Sequence, residues 1–408
     1  MESQSNFWPW FSEEEYERRY ARIRAAMEEK NLDCLIFWGY STAGTGTDLG
    51  QTNITYITSF ASTATYLVFP LNEEPTIFVT MANHVKNAKR ISHVKDVRAG
   101  SNFFVKGGMG SMPLQVAGRL KELGLEKKRI GMVGNSAWLN INFLHDAHVM
   151  ITEALPDAEF ETVTAWYEGV RLIKSEEEVA LMRRVTAMTD AAYEVMVRST
   201  RPGIRPIDLH NIYQRAAQAM DARTAMGHVG RTPMSDPDMN YPDYIPLTTP
   251  IQVGDVIMTE MAVGIAGYFG KIWGTYFVGD PTPEYEKLFN LAKKTSDDLH
   301  AAIKPGVKTG DLARLCLDTI QDAGYMSKTS ICGWSNRNAR PEVRAAGDRI
   351  TDPDFVFEKN QCINVVGWPS NEEATIGLWL GDCCVITDDG IENLQKYPIR
   401  ELHDNIIK

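Results

Sequence analysis

The stretch from Arg171 to Val197 limits what this chain can fold into more than any other. Ser175 precedes Glu176, Glu177 and Glu178, and Met182, Val185, Met188, Ala192 and Met196 then recur at helical spacing. A hydroxyl placed to accept from unpaired N–H groups, acids beside the positive helix end and an apolar stripe together predict one long amphipathic helix. Arg201-Pro202-Gly203 stops it.

The texture differs on the two sides of this helix. Upstream, Ser12 and Glu13-Glu14-Glu15 open a helix whose Tyr16, Tyr20, Ile23 and Met27 form one stripe. Short apolar runs at 33–38, 54–57, 65–69, 76–79 and 130–133 read as strands, with a helix over 112–123. Such alternation predicts an α/β domain around a partly parallel sheet. Downstream, helices over 207–220, 284–302 and 311–323 are interleaved with strands at 256–263, 272–278, 363–368, 375–380 and 382–387. That order predicts an α+β domain with helices on one face of an antiparallel sheet. The expected domains are 1–165 and 166–408.

Composition removes whole classes of function. Lys plus Arg number 42 against 53 Asp plus Glu, a net charge of −11, which repels phosphate backbones and anionic membrane surfaces. No apolar run approaches the roughly 20 residues of a membrane helix. Met1-Glu2-Ser3-Gln4 lacks the basic start of a secretory signal. The six cysteines include no CxxC pair, and adjacent Cys383 and Cys384 make a poor disulfide framework. Reduced thiols in the cytoplasm are the expectation, with no nucleic-acid or membrane partner.

Several stretches, taken in order, resemble the creatinase and aminopeptidase P superfamily, the pita-bread fold. They are Arg171-Leu172-Ile173-Lys174-Ser175, Gly254-Asp255-Val256-Ile257, Ala266-Gly267-Tyr268-Phe269, Thr275 to Asp280, Lys304-Pro305-Gly306-Val307 and Val385 to Gly390. The closing Tyr397-Pro398 and Asn405 to Lys408 look most like creatinase. The resemblance implies an α/β N-terminal domain, a pita-bread catalytic domain and a small-molecule substrate. It also implies a homodimer in which one N-terminal domain borders the partner's pocket. Phe7, Trp8, Trp10 and the Gly-rich 40–48 stretch are candidates for that rim, or else a hydrophobic staple and a solvated loop.

Metal-dependent members of this superfamily use two aspartates, a histidine and two glutamates, a set that holds divalent ions and activates water. Carried onto this chain, the first aspartate position is Glu260 and the second is Lys271. The histidine motif falls near Cys332-Gly333-Trp334, the first glutamate near Asn364 to Gly367, and the second at Gly381, followed by Asp382. An ammonium among would-be ligands repels a cation, so no metal and no cofactor are expected. Creatinase itself works without metal, through a histidine and carboxylates that hold a guanidinium-like substrate. Here its histidine position falls near Tyr244 or Asp243, and the hairpin carboxylate near Trp273.

The candidate chemistry then rests on few residues. Glu260 and Lys271 lie on neighbouring strands of one expected hairpin. Lys271 either holds a substrate carboxylate or moves a proton, with Glu260 orienting it; the competing reading is an inert salt bridge. His228, between Gly227 and Gly230, suits proton transfer at neutral pH or is a hydrogen-bonded structural histidine. Tyr244 either donates to a substrate oxygen or is a core tyrosine. Trp273, Trp334, Trp368 and Trp379 either form an aromatic box or belong to the core, and Asp382 is a remnant acid that could bind substrate.

The sequence therefore points to a metal-independent, creatinase-like hydrolase of a C–N bond in a small, carboxylate-bearing molecule. Three alternatives stand beside it: a metal-free lyase or decarboxylase in the same pocket, a non-catalytic binding protein and, last, an Xaa-Pro-type metallopeptidase.

Overall fold

The structure, a computed structural model, describes residues 11–40, 51–60, 62–100, 112–135, 143–242, 245, 247–327, 329–333, 341–346, 349–350 and 352–408. Tyr244, Trp334, Phe7, Trp8, Trp10 and the 41–48 stretch lie outside them. The chain clusters into two compact units that divide between Leu172 and Ile173.

The first unit is built on strands β1 (Cys34–Tyr40), β2 (Ala64–Pro70), β3 (Thr76–Val79), β4 (Asp96–Ala99), β5 (Arg129–Val133) and β6 (Glu159–Thr162). They lie in the order β4-β3-β2-β1-β5-β6. β1 is antiparallel to β2 and parallel to β5, so the sheet is partly parallel. Its helices are α1 (Glu13–Lys30), α2 (Thr52–Thr58), α3 (Val85–Ile91), α4 (Met112–Glu122), α5 (His145–Ala154) and α6 (Thr164–Val170). Strand side chains alternate between faces. Leu35 and Phe37 therefore pack with Tyr20, Ile23 and Met27 of α1, while Cys34 and Ile36 pack with Val116 and Leu120 of α4. The run 54–57, expected as a strand, is instead part of α2. Every α2 residue is buried, so no polar face remained to reveal the helical period. The Thr55 and Thr58 hydroxyls bond back to the carbonyls of Gln51 and Ile54 one turn earlier.

The second unit opens with α7 (Glu176–Arg198) and α8 (Pro206–Ala219). The Ser175 hydroxyl accepts from Glu178 N–H at 3.1 Å, and the Glu178 carboxylate accepts from Ser175 N–H at 2.9 Å, a complete capping box. Strands β7 (Arg223–Pro233), β8 (Asp255–Ile265) and β9 (Tyr268–Val278) follow. Ala266 and Gly267, both at positive φ, turn β8 back into β9. After α9 (Pro283–Ala302) and α10 (Thr309–Asp322) come β10 (Met326–Ser327), β11 (Thr329–Cys332), β12 (Glu342–Ala346) and β13 (Arg349–Ile350). Then come β14 (Cys362–Gly367), β15 (Pro369–Ser370), β16 (Leu380–Ile386), β17 (Ile391–Asn393) and β18 (Ile406–Ile407). The main sheet runs β13-β12-β11-β14-β16-β9-β8-β7.

The helices cover one face of this sheet. A side chain at Gly270 or Gly274 would strike Thr186 or Tyr193 of α7, and one at Gly367 would strike Ala292 of α9. The other face carries Met258, Trp273, Cys332, Val366 and Trp379, packed with Met239, Tyr241 and Trp368. The strand expected at 375–380 begins only at Leu380. The Asn371 side chain accepts from the N–H groups of Thr375 and Ile376 at 2.9 Å, which spends those donors on a local turn. All six cysteines are buried thiols, with no disulfide among the described residues. No described helix is long and apolar enough to cross a membrane.

Candidate functional site

Register decides which side chains share the open face. His228 of β7 lies opposite Glu260 of β8, Glu260 opposite Trp273 of β9, and Trp273 opposite Gly381 of β16, which is paired in turn with Val366 of β14. Cross-strand partners point the same way, so these residues form one row across five strands. Lys271 stands two residues before Trp273 and therefore shares its face.

Glu260 is the hub of the row. Its Oε1 accepts from the Lys271 ammonium and, at 3.1 Å, from the Trp273 indole N–H. Its Oε2 accepts from the Tyr241 hydroxyl at 2.7 Å. Glu260 and Lys271 are only 2% and 1% exposed. Burial by itself pushes the Glu260 carboxyl up, but the Lys271 charge, its hydrogen bond and the Tyr241 hydroxyl outweigh it and hold the group below its usual range.

Three of the four expected tryptophans come together here. The Trp368 and Trp379 rings meet at 4.7 Å between centroids, and Tyr241 lies 5.1 Å from Trp379. The Lys271 Nζ sits 4.2 Å from the Trp273 centroid, so the cation against this ring is the protein's own. Each of the three indole N–H groups is spent: Trp273 on Glu260, Trp368 on the Asn240 carbonyl and Trp379 on the Thr259 carbonyl.

Other expectations shift. Asp382 is on the helix-covered face, because it follows Gly381 by one residue and strand side chains alternate. It accepts from His300 of α9 at 2.8 Å and from Asn393 at 2.8 Å, away from Glu260 and Lys271. The glycines near His228 make room for protein. The Gly227 carbonyl meets His210 of α8 at 2.6 Å, and Gly230 backs onto Met239 and Pro242. His228 itself is half-buried at the edge strand. Tyr241 is the residue the sequence did not disclose. It sits in an irregular segment with no periodicity, and only the nearby Tyr244 had drawn attention.

Residues 180–388 match metallopeptidase family M24, and residues 19–173 match the creatinase/prolidase N-terminal domain. The chain belongs to family M24, within the creatinase and aminopeptidase P superfamily. Creatinase of Bacillus sp. (strain B-0618) is 22% identical over 420 residues, spanning 98% of this chain and 95% of that protein. The Xaa-Pro dipeptidase of Lactobacillus delbrueckii subsp. lactis is 21% identical over 281 residues, 64% of this chain and 72% of that protein. Prolidase from Thermococcus sibiricus superposes with a TM-score of 0.79 at 14% identity, covering 96% of this chain and 99% of that one. Prolidase from Pyrococcus horikoshii OT3 gives 0.74 at 17%, covering 94% and 99%. The fold is thus pita-bread, and the chain stands among creatinase/prolidase-family hydrolases.

Family M24 implies a divalent ion on the open face, and the residues in the row do not fit one. The Glu260 carboxylate already accepts from an ammonium, an indole and a phenol. A side chain at Gly381 would meet the Trp273 ring and a Val366 methyl at 2.9 Å, so no acid can be housed there. Val366 offers no donor. Hard cations need several oxygen ligands, and this row supplies one carboxylate already neutralised by a fixed cation.

Proposed function

We propose that the chain is a metal-independent hydrolase of creatinase type that cleaves a C–N bond in a small, carboxylate-bearing molecule. The observation that carries this reading is the buried Lys271–Glu260 ion pair in the row where metal-dependent relatives hold acids. Charge stabilisation is then supplied by fixed protein groups.

His228 moves the protons. It is the more exposed member of the His228–Glu260 cross-strand pair, and an imidazole can both accept and donate a proton. It takes a proton from water as the water oxygen adds to the carbon of the C–N bond. That proton passes to the departing nitrogen as the C–N bond breaks, so one water is consumed and one amine released. An ammonium has three N–H donors, one of which Glu260 takes; a substrate carboxylate competes for the others. Tyr241 and Trp273 fix Glu260 and so fix where Lys271 sits. The chain acts as a homodimer in the cytoplasm.

The near-complete burial of Lys271 and Glu260 favours a second reading, a lyase or decarboxylase that needs no water. One experiment separates the two. Purified protein is incubated with guanidino acids, small amides and aromatic acids in excess chelator and in ¹⁸O-labelled water, with products followed by mass. Hydrolysis predicts turnover that survives chelator and one labelled oxygen in the product. Unlabelled product with loss of carbon dioxide supports the second reading. Turnover abolished by chelator and restored by Mn²⁺ overturns both.

A further inference from the structure

On the helix-covered face, one fully buried strand position and its neighbours converge in a way that the hydrolase reading does not use. His300 Nε2 lies 2.8 Å from Asp382 Oδ1, Cys384 Sγ lies 3.3 Å from the same oxygen, and Sγ lies 3.9 Å from Nε2. Asp382 and Cys384 are two apart on β16 and so point the same way, toward α9, which carries His300. One nitrogen, one oxygen and one sulfur atom thus form a triangle, each contributed by a side chain whose backbone is regular and fixed.

We propose that His300, Asp382 and Cys384 form a binding site for a borderline divalent cation of the zinc class, separate from the open-face row. The ligand chemistry is the first argument. Imidazole, carboxylate and thiolate together select zinc-like ions over magnesium or calcium, which prefer oxygen alone. The size of the triangle is the second. Metal–ligand bonds of about 2.0 Å to nitrogen and oxygen and about 2.3 Å to sulfur place tetrahedral ligands roughly 3.3–3.6 Å apart. The two separations that involve sulfur bracket that range, and the His300–Asp382 edge must open by about half an ångström as a bond to the metal replaces its hydrogen bond.

The outer contacts are those of a supported ligand. Asp382 turns its other oxygen, Oδ2, to Asn393 Nδ2 at 2.8 Å and to Arg400 at 3.5 Å, which leaves Oδ1 for the metal. Arg400 is itself paired with Asp297 at 3.3 Å, so its charge is shared with a second acid. Binding forms a metal–sulfur bond and releases the Cys384 thiol proton. Carboxylate and thiolate then balance the dication. The His300 side chain is 15% exposed while Asp382 is fully buried, so a fourth ligand would enter from the His300 side.

The test uses full-length protein stripped with chelator, dialysed and titrated with Co²⁺. A cobalt–thiolate charge-transfer band in the near ultraviolet is expected, saturating at about one equivalent per chain. It disappears in Cys384→Ser, weakens at least tenfold in His300→Gln, and persists in Lys271→Met and in Glu260→Gln. Circular dichroism of each variant establishes that it is folded. Failure to form the band in the folded parent protein overturns the site. So does a band that survives Cys384→Ser, or one lost only in the Lys271 and Glu260 variants. The last result would move the metal to the open face and count against metal-independent hydrolysis, whereas the first leaves that reading untouched.

Discussion

The Lys271 ammonium reaches Glu260 diagonally across the β8–β9 hairpin: Lys271 pairs with Ala262, and Glu260 with Trp273. This diagonal makes the two buried side chains an internal ion pair. Removing Lys271 leaves the buried Glu260 carboxylate without its ammonium partner. Lys271→Met should cost about 3–5 kcal/mol, and the double change Lys271→Met with Glu260→Gln clearly less than the sum of the singles. Urea unfolding of the four proteins measures the coupling, and strict additivity would show that the pair is not the unit described.

Gly381 is held small by its neighbours. A Cβ there meets Trp273 and Val366 at 2.9 Å, and both belong to the same buried cluster. Gly381→Ala should lower stability by about 1–3 kcal/mol through overpacking. An unchanged melting temperature would mean that the open face has room for a side chain at this position.

His228→Gln should lower turnover by about 10²–10⁴-fold on a substrate found by the product screen while leaving KM nearly as it was. Stability should stay within about 0.5 kcal/mol, because the side chain is half-buried on an edge strand. Retained turnover would take His228 out of the reaction.

Two carboxyls give opposite pH signatures. Glu260 is held below its usual range, so its contribution is present above the ordinary carboxylate range near pH ~4.3 and is lost as pH falls through the depressed value. Asp190 of α7 behaves the other way. Burial, against backbone N–H groups of Lys396 and Tyr397 and the Lys396 charge, raises it to about 6, with Asp382 adding to the rise. Its contribution is full below pH ~4 and disappears as pH rises through about 6. Asp190→Asn should therefore flatten the stability profile between those limits and stabilise the protein at neutral pH by on the order of 2–3 kcal/mol. Denaturant midpoints across pH 3–8 test it, and a parallel shift of the whole profile would contradict the assignment.

Much of this was legible before any coordinates. The α7 capping box follows from Ser175 and Glu178, and the β8–β9 hairpin from the family resemblance of Ala266-Gly267-Tyr268-Phe269 and Thr275 to Asp280. Glu260 and Lys271 were legible because the superfamily resemblance carried its two aspartate positions onto them. What escaped depended on register or on irregular backbone. Asp382 could be assigned to the correct strand but not to the correct face, since one residue of register exchanges the faces. His228 was noticed, but its strand was not, because Gly227 and Gly230 break the alternation. Tyr241 reaches Glu260 from outside any regular element, where no period points to a partner.

The central claim is that a lysine ammonium holds the place of a cation. Crystals of the full chain soaked in Mn²⁺, with data collected at the manganese edge, test it most directly. The account predicts side-chain density for Lys271 on Glu260 and no anomalous peak within about 2.5 Å of the Glu260 carboxylate. Two anomalous peaks over the row from His228 to Val366, with Lys271 turned out to solvent, would contradict it.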